Sequence, residues 1–510
     1  MRRVGTVNDV RQKHVLVIGA GAAGTMAAIF AARTGARTTL LERTKDGGRK
    51  ILISGGGRCN VLPSRVDESR FVTDSSPNIL RRIIRSWPLD EQIRFFEQDV
   101  GIRLELEAAS LKLFPASHKA RDVRDGLLAC AQRDGVDIVT ETNVTDFAPD
   151  GASWCVSCDD GRTFIVDAVI VATGGLSVPN TGSDGRGLTI LRKLGHTIQA
   201  TYAALTPITV EPNDFTELSG ISLPVTLTAK SGTESSQWTG GFLFTHRGYS
   251  GPTVLNVSHV AVRSRAAGGA RAVLSVRWTP LGDDEWHARL QPHGARTVSG
   301  AVRAEVPERL AEVLIRRANV DPLRTLSELR RDERLRLVET LVRGELPWAG
   351  DESYKKAEVT GGGVTLSEID HRTMESRRHP GLFLCGEVLD AFGPIGGYNF
   401  LWAWCTGRAA GIGSAAPAEL GDSACFVGNV RRRRTECSAG TGVSQAVSTR
   451  ATDNQGERRC QFGCRRWRVS AHQGRQPGHE WKSLTSMRPT LGNSACEVLL
   501  FSRVSRHPIG

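Results

Sequence analysis

Residues 15–24 have the sequence Val-Leu-Val-Ile-Gly-Ala-Gly-Ala-Ala-Gly, and this stretch decides the fold. Four consecutive apolar residues predict a strand that is buried on both faces, as in a parallel sheet. Residues 24–34 predict a helix that ends near Gly35, and residues 38–41 predict a second buried strand, followed by Glu42. Strand, helix and parallel strand form a βαβ unit, so the sequence predicts an α/β protein with a doubly wound sheet.

The three glycines of this stretch have the spacing of a dinucleotide-binding turn. Gly19 permits the tight turn, Gly21 lets the backbone approach a pyrophosphate, and Gly24 lets the helix pack closely on the strand. The start of the helix contributes unpaired N–H groups and partial positive charge. Glu42 can accept hydrogen bonds from a ribose. The alternative is a plain βαβ unit with incidental glycines.

Three further motifs point to the same ligand. Residues 48–60 read GRKILISGGGRCN, in which basic side chains flank three glycines and suit a loop around an anion, although a flexible surface turn is the alternative. Residues 171–175 (VATGG) end a strand without bulky side chains. Residues 385–390 (CGEVLD) place the Glu387 carboxylate at the carboxyl edge of the sheet, where α/β proteins bind ligands, and GGYN at 396–399 precedes a helix.

These motifs, in this order, resemble the HI0933-like flavoprotein family, also called YhiN-like, aminoacetone-oxidase-like or BaiN-like. The resemblance extends from about Val15 to Ser414 and includes LFP at 113–115, FTHRGYSGP at 244–252, VTGGGV at 359–364, TMESRRHPGLFLCGEVLD at 373–390 and GGYNFLWAW at 396–404. It implies FAD bound in an extended form by a Rossmann-like domain that is split in sequence. It also implies an inserted β-rich domain with a helical cap.

The resemblance further implies which residues contact FAD. Glu42 is expected to bind the adenosine ribose, Val144 to lie beside adenine, and Glu387 to approach the ribityl chain or pyrophosphate, while residues 397–400 face the pyrimidine edge of the flavin. The expected cofactor residues are Gly19, Gly21, Ala22, Ala23, Gly24, Glu42, Arg43, Arg49, Lys50, Ser54, Gly55, Gly56, Gly57, Arg58, Cys59, Asn60, Val144, Ala172, Thr173, Gly174, Gly175, Gly386, Glu387, Gly397, Tyr398, Asn399 and Phe400.

The helix that starts near Asn399 gives the last of these assignments an independent physical reason. Reduction of a flavin places negative charge on its pyrimidine edge, which the positive end of a helix stabilises by roughly 0.3–1 kcal/mol. For a two-electron couple, roughly 1.4 kcal/mol corresponds to about 30 mV. The helix is therefore expected to tune the reduction potential, whereas the redox chemistry belongs to the cofactor.

Changes in pattern along the chain predict five segments. They are the first part of the FAD-binding domain (14–200), an inserted β-rich domain (201–300), an inserted helical cap (301–355), the second part of the FAD-binding domain (356–414) and a low-complexity basic tail (415–510). The tail is expected to be disordered. Its abrupt loss of periodicity, where the family normally ends, also raises the hypothesis of a non-native or shifted reading frame.

Charge and cysteine content narrow the class of protein. The tail holds 15 Lys and Arg against 7 Asp and Glu, so +8 of the formal net charge of +12 lies there and only +4 in residues 1–414. The overall basicity is therefore weak support for nucleic-acid binding by the main body. Eleven cysteines without secretory spacing or a signal peptide predict a cytoplasmic protein. The apolar residues 15–32 are interpreted as a buried βα unit and not a membrane span.

Residues for catalysis are less clear from the sequence than those for the cofactor. His246 is a proton-donor hypothesis with a structural role as the alternative, and Cys59 is a catalytic hypothesis for which plain packing is favoured. Cys155 and Cys158 would face opposite sides of a strand, which argues against a redox pair. No metal site is expected; Cys460 and Cys464 lack partner ligands. Trp402 and Trp404 are interpreted as core or flavin-neighbouring residues.

The leading functional hypothesis is hydride transfer between FAD and a small-molecule substrate held at the interface with the inserted domains. NAD(P)H is a transient reductant in this hypothesis, because a second dinucleotide turn is absent from the sequence. One alternative is reduction or modification of a uracil base in structured RNA. Another is an FAD-binding scaffold without turnover. The sequence leaves the substrate, the direction of the reaction and the oligomeric state open.

Overall fold

The computed structural model describes residues 11–212, 215–266, 268 and 270–416. The strands are β1 (His14–Ile18), β2 (Arg37–Leu41), β3 (Leu62–Pro63), β4 (Leu104–Glu107), β5 (Lys112–Pro115), β6 (Asp137–Val139), β7 (Val144–Asp150), β8 (Ser153–Cys158), β9 (Thr163–Val166), β10 (Ala168–Val171), β11 (Ile198–Ala204), β12 (Ile208–Thr209), β13 (Ser222–Ser231), β14 (Glu234–Thr245), β15 (Gly248–Ser250), β16 (Val273–Arg277), β17 (Gly344–Leu346), β18 (Gly350–Asp351), β19 (Val359–Val364) and β20 (Leu382–Leu384). The helices are α1 (Ala22–Arg33), α2 (Arg49–Ile53), α3 (Pro77–Arg85), α4 (Leu89–Arg94), α5 (Ala120–Arg133), α6 (Arg186–Lys193), α7 (Pro252–Ala266), α8 (Asp283–Arg289), α9 (Val298–Val302), α10 (Glu308–Arg317), α11 (Arg331–Arg343), α12 (Ser353–Lys356) and α13 (Tyr398–Ala415).

A five-stranded parallel sheet organises the part of the chain that contains the glycine turn. Its strand order is β20-β10-β1-β2-β6. Residues 15–18 of β1 and all of β10 and β20 are buried, as expected for strands covered on both faces. β20 pairs with β10 although more than two hundred residues separate them in sequence, so the predicted α/β class with a split parallel sheet is confirmed.

Helices α1 and α13 touch through their backbones. A Cβ at Gly407 would lie 2.4 Å from the carbonyl oxygen of Ala23, and one at Gly411 would lie 2.3 Å from that of Ala27. Only glycine allows this close approach. Helix α13 is apolar around most of its surface because one side faces α1 and the other sides are covered by the rest of the core. The two helices therefore start from fixed positions relative to one another.

Residues 208–351 form a separate seven-stranded antiparallel sheet with its own hydrophobic core. The strand order is β17-β16-β13-β14-β15-β12-β18, and α10 and α11 contribute to the same core. Helix α7 lies against β13 and β14, and the β-rich pattern did not predict it. Its Val254, Val257 and Val260 have helical spacing and are buried, but valine-rich sequence also favours strands. The domain boundaries stated above stay a prediction.

The two cysteines of β8 lie as the sequence predicted, whereas other predicted details lie outside the described residues. Cys155 is half-buried and Cys158 is buried on the opposite face of β8, as predicted. In the described part of the chain, no helix is long and apolar enough to cross a membrane. The predicted disorder of the tail and the cysteines Cys460 and Cys464 fall outside the described residues.

A buried polar network joins the chain before β11 to the chain around β20. His196 Nδ1 lies 2.7 Å from Glu368 Oε2, and its Nε2 lies 3.0 Å from Ser376 Oγ. Burial lowers the pKa of His196, so the neutral ring donates to Glu368 and accepts from Ser376. Burial alone would raise the pKa of Glu368, but hydrogen bonds from Arg378, Thr197 and His196 hold this pKa at about 2.

We expect Glu368→Gln to lower the free energy of unfolding at pH 7 by about 2 kcal/mol, because hydrogen bonds to a charged acceptor become neutral ones. The folded-state pKa lies below the unfolded value, so the wild-type advantage is complete above about pH 4.5 and disappears as the pH falls towards 2. Urea unfolding at a series of pH values measures this difference in the free energy of unfolding, with the exposed Glu91→Gln as control. A difference between wild type and Glu368→Gln that stays constant down to pH 2.5 contradicts the assignment.

Candidate active site

The turn between β1 and α1 is shaped by contacts that exclude side chains. Gly19 has a φ of +103°, and a Cβ there would lie 2.7 Å from the carbonyl oxygen of Ala172. A Cβ at Gly24 would lie 1.9 Å from the carbonyl oxygen of Gly19. At Gly21 a Cβ would meet no protein atom within 4 Å. Gly19 and Gly24 are therefore required for packing, whereas Gly21 borders open space.

Two helices begin at this space without a side-chain cap. Gly21 is the N-cap of α1 and Gly397 is the N-cap of α13, and neither end receives a side-chain capping hydrogen bond. Gly397 has a φ of +91° and lies so close to Leu62 that a Cβ would be 2.5 Å from the Leu62 carbonyl carbon. Unpaired N–H groups at a helix start favour anionic or electron-rich ligand atoms.

A cavity of about 300 Å³ is bounded by both helix starts. Of the expected cofactor residues, those that line it are Gly19, Gly21, Ala22, Ala23, Glu42, Arg43, Arg49, Lys50, Ser54, Gly55, Asn60, Val144, Ala172, Thr173, Gly174, Gly386, Glu387, Gly397, Asn399 and Phe400. The structure thus brings together residues from four sequence motifs that are up to 380 positions apart.

Glu42 is fixed in the wall of this cavity by local hydrogen bonds. Its Oε2 accepts a 2.9 Å bond from the Ala20 N–H, and its Oε1 accepts bonds from the N–H and hydroxyl of Thr44. The side chain is 7% exposed. The carboxylate therefore braces the glycine turn from the end of β2, and Oε2, which accepts one hydrogen bond, keeps lone-pair capacity for a ribose hydroxyl.

Lys50 and Glu387 form an ion pair that links α2 to the segment after β20. Lys50 Nζ donates to Glu387 Oε2 at 2.6 Å and to Ser177 Oγ at 2.5 Å. Glu387 Oε1 accepts from Ser177 Oγ at 2.7 Å and from the Thr360 N–H at 2.9 Å. Burial alone would raise the pKa of Glu387, but Lys50 and these hydrogen bonds keep its pKa below the usual range. Both side chains are held rigidly beside the cavity.

Seven expected cofactor residues do not line the cavity: Cys59, which is described below, and six others. Gly24 packs as described above, and a Cβ at Gly175 would lie 2.4 Å from Thr360 Oγ1. The Tyr398 hydroxyl donates to the carbonyl of Arg65. Gly56, Gly57 and Arg58 lie in the same loop as Gly55, and the Arg58 guanidinium lies over the Phe114 ring and pairs with Glu107.

The two residues proposed for catalysis do not reach the cavity in this structure. Cys59 is fully buried with a φ of +58°, and burial raises the pKa of its thiol to about 12, which favours packing over reactivity. His246 is exposed in the turn between β14 and β15. Catalysis by either residue stays a prediction that the geometry does not favour.

Lining residues that sequence reasoning missed include two ionisable side chains, Lys112 and Glu358. Lys112 directly precedes the Leu-Phe-Pro motif, and Glu358 directly precedes the Val-Thr-Gly-Gly-Gly-Val motif. The position of both next to family motifs was the signal that could have identified them. Trp402 also lines the cavity, with its indole N–H bound to the Gly386 carbonyl, whereas Trp404 is buried in the core.

Helix α7 of the inserted part packs against the loop that forms one wall of the cavity. Asn256 of α7 accepts a 2.8 Å hydrogen bond from the Ile395 N–H, and the ring of His259 packs against Phe392. Phe392 and Ile395 themselves line the cavity. Burial lowers the pKa of His259 to about 4, so this ring is neutral and acts as packing. Helix α7 therefore fixes the loop that leads into α13.

The residues present fit FAD. A dinucleotide with an electron-accepting ring matches four features of the cavity. They are two uncapped helix starts, the open space beside Gly21, the Glu42 carboxylate at the end of β2 and the nearby cations. Bound FAD would supply hydride transfer. Within the described residues, no cluster of His, Cys, Asp or Glu could hold a metal ion. The fold and the site together define an oxidoreductase of the Rossmann-fold flavoprotein class.

Comparisons with known proteins agree with this class. The model of the HI0933-like protein Rossmann domain matches residues 13–413, and the chain belongs to this family, as its motifs suggested. It is an FAD-dependent oxidoreductase. The ribosomal RNA dihydrouridine synthase of Escherichia coli (strain K12) is 32% identical over 399 residues, which cover 77% of this chain and 96% of that protein.

Two further similarities were found, one to a curated protein and one to a solved structure. The 3-dehydro-bile acid delta(4,6)-reductase of Clostridium scindens is 29% identical over 409 residues, which cover 78% of this chain and 98% of that protein. Among solved structures, the 3-ketosteroid delta1-dehydrogenase of Sterolibacterium denitrificans aligns with a TM-score of 0.44 at 12% identity, covering 79% of this chain and 100% of that one.

Proposed function

We propose that this protein reduces a carbon–carbon double bond conjugated to a carbonyl group, with FAD as the hydride carrier. The observation that carries the proposal is the chemistry shared by the two relatives that match over nearly their whole length. A dihydrouridine synthase and a delta(4,6)-reductase of a 3-oxo compound both add two hydrogens across such a bond. The substrates differ greatly in size, so the common element is the reacting group.

The cavity residues hold FAD in this proposal, with its pyrophosphate at the start of α1 and its flavin at the start of α13. The helix start at Gly397 stabilises negative charge on the reduced flavin. The substrate enters beside the loop 391–396, which α7 of the inserted part supports. NAD(P)H reduces the flavin by occupying the same place transiently, since one dinucleotide turn is present in the sequence.

A uracil base in structured RNA is the substrate that we place first. It is favoured by the 32% identity with a ribosomal RNA dihydrouridine synthase across 96% of that protein. The net charge of +4 in residues 1–414 gives only modest electrostatic support. A small enone or dienone is the second candidate, favoured by the bile-acid reductase.

Anaerobic reduction followed by acceptor screening tests the proposal. We expect NADPH or NADH to bleach the flavin, and either ribosomal RNA or a steroid dienone to restore its colour with a product 2 Da heavier, the mass of two added hydrogens. Binding of RNA that weakens steeply with salt supports the RNA substrate. A reduced flavin that is reoxidised by oxygen but by neither acceptor class refutes it. Failure of both nicotinamides to bleach the flavin would favour the scaffold alternative.

A further inference from the structure

Glu358 and Lys112 face the cavity from outside the parallel sheet. Glu358 immediately precedes β19, and Lys112 begins β5. Lys112 lies at the α13 end of the cavity, since a Cβ at Gly396 would be 3.4 Å from Lys112 Cε. Glu358 is close enough to Lys112 and Lys50 for both cations to lower its pKa. Glu358, Lys50 and Lys112 therefore line the same cavity within electrostatic range of one another.

The backbone of Glu358 is fixed, whereas its carboxyl is not engaged. Its N–H donates to the Leu205 carbonyl at 3.1 Å. Among the described residues, its carboxyl makes neither a hydrogen bond nor an ion pair within 4.0 Å, and the same is true of the Lys112 ammonium. Glu387, by contrast, has its carboxylate bound to Lys50, Ser177 and Thr360.

We propose that Glu358 is the proton donor of the reduction, and that Lys112 beside it binds the substrate carbonyl. This inference rests on the proposed function. Among the described residues at this end of the cavity, Glu358 has the one carboxyl without a protein partner, and it supplies the proton that the reaction needs. The structure supports it through position: the carboxyl lines the cavity, lies near the helix start that faces the flavin, and is not occupied by protein partners.

The proposed step balances. The conjugated double bond accepts a hydride, carrying two electrons, at the carbon remote from the carbonyl, and the carbon next to the carbonyl accepts a proton. Glu358 gives up that proton and becomes a carboxylate, which solvent reprotonates through the cavity mouth. The electrons come from a reduced nicotinamide through FAD. Lys112 donates a hydrogen bond to the carbonyl oxygen and stabilises the charge that develops on it.

The surroundings of Glu358 as a whole raise the pKa of its carboxyl. The Glu358 side chain is exposed to the open cavity, yet desolvation by the surrounding cavity walls raises its pKa, and the facing cations Lys112 and Lys50 only partly offset this effect. Lys50 is neutralised by Glu387, and Lys112 lies near Glu107. Burial likewise lowers the pKa of Lys112. The donor form of Glu358 is thus present at low pH, and activity is expected to fall as the pH rises through the raised pKa.

Replacement of Glu358 by Gln tests the assignment with the FAD-loaded full chain. We expect reduction of the flavin by NADPH to stay within 2-fold of wild type, whereas reoxidation by the substrate slows by about 10²–10⁴-fold. Glu358→Asp should restore part of this rate and keep its fall at high pH. The exposed Glu91→Gln is the control. Equal reoxidation rates in Glu358→Gln and wild type overturn the proposal.

A second measurement does not need a substrate. Titration of the resting holoenzyme between pH 4 and 9 is expected to shift the flavin absorbance as Glu358 ionises, and this shift should be absent in Glu358→Gln and present in Glu358→Asp. An unchanged titration in Glu358→Gln overturns the position of the carboxyl. If the proposed function fails, wild type shows no reoxidation by enones or RNA while the titration still separates the variants, so the two failures are distinguishable.

Discussion

Replacing Gly24 with alanine is expected to lower the free energy of unfolding by about 3 kcal/mol or more and to abolish FAD binding. Intrinsic helix propensity alone predicts the opposite, because alanine in a helix is favoured over glycine by about 1 kcal/mol. The added methyl group would lie 1.9 Å from the Gly19 carbonyl oxygen and 3.0 Å from the Ala172 Cβ. A backbone oxygen cannot rotate away, so α1 must move and take Gly21 with it. Urea unfolding and the flavin content of purified protein measure the two effects.

Gly21→Ala is the matched control for this prediction. Its methyl group would meet no protein atom within 4 Å, so we expect wild-type stability for the apoprotein. The same methyl group enters the cavity that Gly21 lines, so FAD affinity should fall. The pair of variants separates the packing role of one glycine from the ligand role of the other. Normal FAD binding by Gly24→Ala, or unfolding of Gly21→Ala, would contradict the structure.

The cofactor half of the site could be predicted from the sequence because its signals are local. Gly19, Gly21 and Gly24 lie within one turn, and the geometry of that turn dictates their roles. Glu42 is the first residue after a recognisable strand. Such features depend on a few neighbouring residues, and Gly19, Gly21 and Glu42 line one cavity in the structure.

The cavity residues Glu358 and Lys112, to which we assign a role towards the substrate, could not be predicted in this way because distant chain segments bring them to the cavity. Glu358 reaches the cavity through the pairing of β19 with β11, and Lys112 does so through the pairing of β5 with β3. Neither pairing has a local sequence signal. Cys59 illustrates the opposite case: it belongs to the glycine loop near the expected cofactor, but its side chain is buried in the core and its φ is +58°.

Replacing Lys50 with methionine is expected to lower the free energy of unfolding by about 3 kcal/mol, because the Glu387 carboxylate keeps its partly buried position without a cation. This is the lower end of the range for buried pairs, since the two side chains retain 29% and 17% exposure. FAD affinity should also fall, because Lys50 lines the cavity. Urea unfolding of the apoprotein and fluorescence titration with FAD measure both quantities.

The double variant Lys50→Met with Glu387→Gln distinguishes the cost of an unpaired charge from lost packing. Glutamine still accepts from the Thr360 N–H and Ser177 but carries no charge, so stability should recover relative to Lys50→Met alone, while FAD binding stays weak. The pH dependence gives a second check. The pKa of Glu387 is depressed in the folded wild type, so its contribution is present above about pH 4.5 and is lost on acidification. Lys50→Met should lack that loss, and the same acid sensitivity in both proteins would mean that Lys50 does not hold Glu387 ionised.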